Sequence, residues 1–104
     1  MKLILLFAVQ MLAVVASPAM AIVGGGDITF SAEGMPPVVY SHEDHVIKAK
    51  LKCTECHYHI YTNHAQHKAV GMEGMREGKS CGVCHNGKRA FNVASQQNCA
   101  KCHK

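Results

Sequence analysis

The chain has 104 residues, with 11 Lys and Arg against 7 Asp and Glu, eight His, six Cys and no Trp. A formal charge of +4 is too weak for the basic face of a nucleic-acid binder, and neither a nucleotide-binding loop nor a catalytic triad stands out. The length allows one domain with little core, so the cysteines are the obvious source of a covalent or metal staple.

The first 21 residues carry one lysine at Lys2, an apolar run from Leu3 to Ala16, then Ser17 and Pro18 before the small-x-small site Ala19-Met20-Ala21. This is the pattern of a secretory signal peptide, and it predicts cleavage after Ala21. A retained anchor is the alternative, but the apolar run is shorter than the roughly 20 residues a spanning helix needs. The organisation is then a signal peptide at 1–21 and one domain at 22–104, with a formal charge of +3 once Lys2 is removed.

Along the mature chain, GGG at 24–26 reads as a flexible start or linker, and SAEGMPP at 31–37 as a loop. Ser41 has the form of an N-cap with Asp44 at N3, predicting a short helix from about His42 to Lys50. Three residues apart, His42 and His45 share a face of such a helix. Their directions differ by about 60°, since three residues of an α-helix turn through about 300°. One helix can therefore offer two imidazoles to two different metal centres. The alternative is a pair of solvent-facing histidines beside Glu43 and Asp44.

The six cysteines fall into three pairs of one form: CTECH at 53–57, CGVCH at 81–85 and CAKCH at 99–103. C-x-x-C-H is the attachment pentad of c-type haem. Two thiols separated by two residues reach the two vinyl groups of one porphyrin, and the adjacent histidine turns under the ring to meet the iron. Cys53 and Cys56, Cys81 and Cys84, and Cys99 and Cys102 are thus the candidate attachment pairs, with His57, His85 and His103 as proximal ligands. The spacing of Cys81, Cys84, Cys99 and Cys102 also approaches that of a zinc ribbon, and six cysteines in a secreted chain allow 15 disulfide connectivities. Neither alternative asks for a histidine after every pair. With 8 His in 104 residues, three chance placements have a probability on the order of one in two thousand, which favours three haems. Haem attachment outside the cytoplasm also suits an exported chain, and three large apolar groups would supply the missing core.

Each iron needs a second axial ligand unless one side is open, and His42, His45, His59, His64 and His67 remain, with Met35, Met72 and Met75 as the other possible donors. The need for three such ligands favours His42 and His45 as iron ligands. Asn63 with Gln66 resembles another cap and Gly71 a stop, so NHAQHKAVG is read as a second short helix carrying His64 and His67 on one face. Met72 and Met75, at helical spacing, are read as packing. His59 is expected to face solvent, and Phe91 to pack against haem.

The paired histidines followed by three pentads that end at the C-terminus resemble the small trihaem cytochromes of the cytochrome c7 type, relatives of the tetrahaem cytochromes c3. The resemblance covers essentially the whole mature chain, with GKSCGVCHNGKRAF and the terminal CAKCHK similar to a periplasmic subgroup. It implies a small multihaem cytochrome c fold: a short N-terminal hairpin of DITF (27–30) and VVY (38–40), plus a few short helices wrapped around three haems, with little regular secondary structure. It implies His42 as distal ligand to the haem on Cys53 and Cys56, and His45 to that on Cys81 and Cys84. One position departs from the family pattern: where a histidine four residues before the second pentad ligates the last haem, this chain has Glu77. The ligand of the haem on Cys99 and Cys102 is assigned to His67, because the AQHK segment is similar to the subgroup; His64 and Met75 are the alternatives.

With all three irons doubly ligated no position is open to substrate, which points to outer-sphere electron transfer rather than to an enzyme, and two imidazoles favour low potentials. The resemblance implies a periplasmic carrier moving electrons from quinol-oxidising complexes of the inner membrane toward other cytochromes, outer-membrane acceptors or metal oxides. It implies a monomer without stable membrane insertion, and an extracellular location is the alternative. A haem-bearing subunit of a conducting filament and a small multihaem metal reductase are the competing functions; incidental metal-ion reduction is compatible with a carrier. Three ferric haems of about −1 each would bring the +3 polypeptide near neutrality. Lys48, Lys50, Lys52, Lys79, Lys88, Lys101, Lys104 and Arg89 then form either a local docking face or a solvated surface.

Overall fold

In the computed structural model, residues 18–63 and 65–104 are described. Residues 1–17, most of the expected signal peptide, and His64 lie outside that range. No helix of the described residues is long and apolar enough to cross a membrane.

The N-terminal strands are β1 (Asp27–Phe30) and β2 (Val38–Ser41), rich in β-branched and aromatic residues that suit a pleated surface. They pair antiparallel with Asp27 opposite Ser41, Ile28 opposite Tyr40, Thr29 opposite Val39 and Phe30 opposite Val38. Alternation leaves Ile28, Phe30, Val38 and Tyr40 partly covered and Thr29 and Val39 exposed. The C-terminus returns to this hairpin. Val38 bridges His103, and the Lys104 amide donates to the Pro37 carbonyl at 3.2 Å.

The segment after β2 coils as predicted, but more widely. Glu43–Lys48 is a π-helix: the Ala49 amide donates to the Asp44 carbonyl five residues back at 2.9 Å, and the Leu51 amide closes the end on the His45 carbonyl at 3.0 Å. The Ser41 hydroxyl does accept from the Asp44 amide, at 3.2 Å, so the predicted cap is formed. Lys48 reaches back to Asp44 at 2.5 Å. The coil stops short of Lys50, whose φ of +58° is left-handed. A π-turn is wider than an α-turn and is often found at functional sites, so the 60° separation expected for His42 and His45 from α-geometry does not apply.

The remaining elements are single turns: α-helical Cys53–Cys56, Met72–Arg76 and Cys99–Cys102, and 3-10 turns at Val23–Gly25, Ser80–Val83 and Gln96–Asn98. The expected helix over 63–71 is not formed. Asn63 and Gln66 cap each other, the Gln66 amide on Asn63 Oδ1 and Asn63 Nδ2 on Gln66 Oε1, both at 3.0 Å, but residues 67–70 carry no regular structure. A helix shorter than about 12 residues does not cover its own nucleation cost, and the described part of this one is exposed from Ala65 to Ala69, with no buried face to compensate.

Among the described residues no hydrophobic side chain is fully buried; His42 and Asn98 are the buried polar ones, each 8 % exposed. Asn98 donates from Nδ2 to the Asn92 carbonyl at 2.9 Å. A polypeptide with so little core of its own depends on something else to hold its turns together.

Candidate functional site

All three pentads share one hydrogen bond, the first and third in α-helical turns and the second at a 3-10 turn. The histidine amide donates to the carbonyl of the first cysteine four residues back, at 2.9 Å in each case: His57 to Cys53, His85 to Cys81 and His103 to Cys99. One helical turn therefore brings two thiols and an imidazole to one side of the backbone, as the spacing predicted. None of the six cysteines is in a disulfide, and among the described residues no three His, Cys, Asp or Glu side chains converge on a metal-ion site. Burial raises the Cys56 and Cys102 thiols above their ordinary pKa.

The imidazoles share a second feature. His57 Nδ1 meets the Thr62 carbonyl at 3.1 Å, His85 the Phe91 carbonyl at 3.1 Å, and His103 the Pro36 carbonyl at 2.8 Å. His42 Nδ1 meets the Gly26 carbonyl at 2.6 Å and His45 Nδ1 the Ser41 carbonyl at 2.8 Å. A carbonyl can only accept, so each Nδ1 carries a proton, and in the neutral ring that leaves the lone pair on Nε2. This is the tautomer and orientation that a metal-ligating histidine takes from its backbone partner.

The structure brings His45 and His85 together, with ring centres 6.2 Å apart and ring planes inclined at 70°. Two imidazoles on opposite sides of one metal, each at a metal–nitrogen distance of about 2 Å, put their ring centres roughly 6 Å apart. Burial lowers the His85 pKa, opposed by its bond to the Phe91 carbonyl, which favours the neutral imidazole a metal ligand requires. These residues fit a bis-imidazole haem.

Tyr40 stands between the two distal candidates, stacked on His45 at 4.4 Å and edge-on to His42 at 5.0 Å. Its hydroxyl pKa is pushed up to about 12, chiefly by burial. His42 is seated against the Val23–Gly25 turn. Gly24 sits at φ +61°, and a Cβ there would overlap the imidazole, while Gly26 offers its carbonyl. The glycine triplet, read from sequence as a linker, is a shaped seat for the His42 imidazole. Only its lack of side chains hinted at a close approach.

The third centre is less complete. His103 is anchored through Pro36 and Val38. His67 is exposed, with its ring 5.4 Å from Phe30 and 5.9 Å from Tyr61. Phe30 is paired with Val38 and Val38 with His103, so His67 lies at the hairpin end that carries the third pentad. It does not reach the spacing of His45 and His85. Met75 lies partly covered on the Met72–Arg76 turn. A Cβ on buried Gly82, in the second pentad, would overlap the Met75 backbone, so this helix packs tightly on CGVC. His59 is exposed, as expected.

Sequence reasoning missed several contacts between pentads. Glu55 accepts from the Lys52 amide at 2.7 Å and pairs with Arg89, tying the first pentad to the loop after the second. The Tyr61 hydroxyl bonds Ser80 Oγ at 2.5 Å and lies 3.4 Å from Cys81 Sγ, and burial raises its pKa first of all.

The family described as "Cytochrome c7 and related cytochrome c" matches residues 38–104. Among solved structures, a "c7-type three-heme cytochrome domain" is 39 % identical, with a TM-score of 0.69, covering 82 % of this chain and all of that one. The dodecaheme cytochrome c GSU1996 is 36 % identical at a TM-score of 0.67 over 75 % of this chain, which spans 24 % of it. Its C-terminal hexaheme fragment is 41 % identical at a TM-score of 0.65, and this chain covers 47 % of that fragment. No curated protein matches.

Proposed function

Because the chain belongs to the cytochrome c7 family and is an electron-transfer protein with three c-type haems, we propose that it is a low-potential carrier of the periplasm with six histidine ligands. In this reading Cys53 and Cys56 hold the first haem between His57 and His42. Cys81 and Cys84 hold the second between His85 and His45. Cys99 and Cys102 hold the third, with His103 proximal and His67 distal, His64 and Met75 being the alternatives. Each haem supplies a one-electron ferric–ferrous couple when bound. What the polypeptide contributes is orientation: backbone carbonyls fix five imidazole tautomers, and single helical turns place the thiols.

The observation that carries this reading is the His45–His85 pair, 6.2 Å apart with both Nδ1 atoms committed to carbonyls. Two protein ligands on an iron leave no position for substrate, which supports a carrier rather than a reductase, and paired imidazoles give lower potentials than a His–Met pair. Electrons would come from quinol-oxidising complexes of the inner membrane and pass to other cytochromes or to outer-membrane acceptors. The exposed lysines would set the rate and salt dependence of docking.

The test is the absorption spectrum of the purified ferric protein together with its intact mass and carbon monoxide binding after reduction. The expected result is three haems, no weak far-red band of Met-ligated ferric haem and no carbon monoxide adduct. A far-red band worth one haem in three would move the third ligand to methionine. Rapid carbon monoxide binding would mean an open iron and overturn the carrier reading.

A further inference from the structure

A lysine of the third pentad reaches the proximal ligand of the second. Phe91, in the loop after CGVCH, touches His85 twice: its carbonyl accepts from Nδ1 at 3.1 Å, and its ring centre lies 4.3 Å from the imidazole. Over the same Phe91 ring sits the ammonium of Lys101, 4.7 Å from its centre. Lys101 is the second x of CAKCH, within the Cys99–Cys102 helix. The negative face of an aromatic ring attracts a cation, so Phe91 holds the ammonium at a fixed place beside the second haem's ligand. Lys101 has no carboxylate partner among the described residues, whose ion pairs join Lys48 to Asp44, Lys79 to Glu77 and Arg89 to Glu55.

We propose that Lys101, held over Phe91, is a positioning and electrostatic residue for the second haem and raises that haem's reduction potential relative to the other two. The reasoning is one of charge. Reduction adds one electron and no ligand, so a nearby fixed cation favours the ferrous state. Phe91 supplies the geometry and Lys101 the charge. Their separation across two pentads also links the third attachment helix to the second iron's ligand. The inference rests on the assignment of His85 to the haem on Cys81 and Cys84.

The test is potentiometry of the three-haem protein with each haem followed by its NMR methyl signals, in wild type, Lys101→Met, Lys101→Arg and Phe91→Leu. Lys101→Met should lower most the potential of the haem whose signals connect to the His85 ring, with a smaller fall at the third haem, whose attachment helix carries Lys101, and none at the first. Lys101→Arg should restore it, since the charge is kept. Phe91→Leu should lower it less than Lys101→Met, because the charge stays but is no longer held. The gap between wild type and Lys101→Met should narrow as salt is added. If Lys101→Met leaves all three potentials unmoved while the His85 ring signals are paramagnetically shifted, the proposal is wrong and the ligand assignment stands. If the His85 ring carries no such shift, the assignment itself fails.

Discussion

His42 shows how much a single side chain can demand of its surroundings. It is the most deeply covered histidine described, its Nδ1 bonded to Gly26 and its ring laid against Gly24. Gly24 and Gly25 both have positive φ, +61° and +81°, but only at Gly24 would a Cβ meet the imidazole; at Gly25 it would meet nothing within 4 Å. The two positions therefore separate backbone strain from loss of the seat. Gly25→Ala should cost only the left-handed penalty, about 1 kcal/mol. Gly24→Ala should cost about 3 kcal/mol, since the imidazole or the turn must also move. Thermal unfolding of the haem protein measures both, and the ferric electron paramagnetic spectrum should change at one haem for Gly24→Ala alone. Equal effects of the two substitutions would remove the glycine triplet from any role in ligand seating.

Single turns make weak elements, and here they are cross-braced by side chains. Glu55 closes the start of the Cys53–Cys56 turn through the Lys52 amide and crosses to Arg89 beyond the second pentad. The Lys52 amide, and then Arg89, hold its carboxyl below the ordinary carboxylate range. A group with a depressed folded pKa adds stability above its unfolded value, about 4.3 for glutamate, and that stability is lost as pH falls through the folded pKa. Wild type should therefore unfold at a higher temperature than Glu55→Gln at pH 6, and the two curves should converge as pH falls through the lowered Glu55 pKa. The pair is exposed, so the difference should shrink in high salt. An undiminished gap at low pH would mean that Glu55 acts through packing instead of charge.

At the scale of the whole molecule, the described residues contain no fully buried hydrophobic side chain, yet they hold five imidazoles in fixed orientation. Such a chain wraps its cofactors instead of enclosing a core, and the three attachment turns are its framework. The chain from Ile22 onward, produced in a compartment that does not attach haem, should show no cooperative thermal transition and little near-ultraviolet circular dichroism. A sharp transition in that apo chain would mean that the hairpin and its neighbours fold without haem.

The local geometry of the pentads was legible in sequence, because C-x-x-C-H is a local code: one helical turn carries both thiols and the imidazole, whatever surrounds it. The hairpin strands, the Ser41 cap and the exposure of His59 were legible for the same reason, each depending on residues close in the chain. The π-form of Glu43–Lys48 was not, since α- and π-turns share caps and composition and only the packing of His42 and His45 selects between them. Nor was the absent helix at 63–71, where a proper cap was present but no buried face could follow it. Tertiary structure alone decided that Gly24 seats His42, that His45 meets His85, and that Lys101 reaches Phe91 from another pentad. Each of those joins residues at least 16 positions apart except the last, 10 apart across an attachment turn, and no local preference carries such a distance; only the way the turns close around a shared centre does.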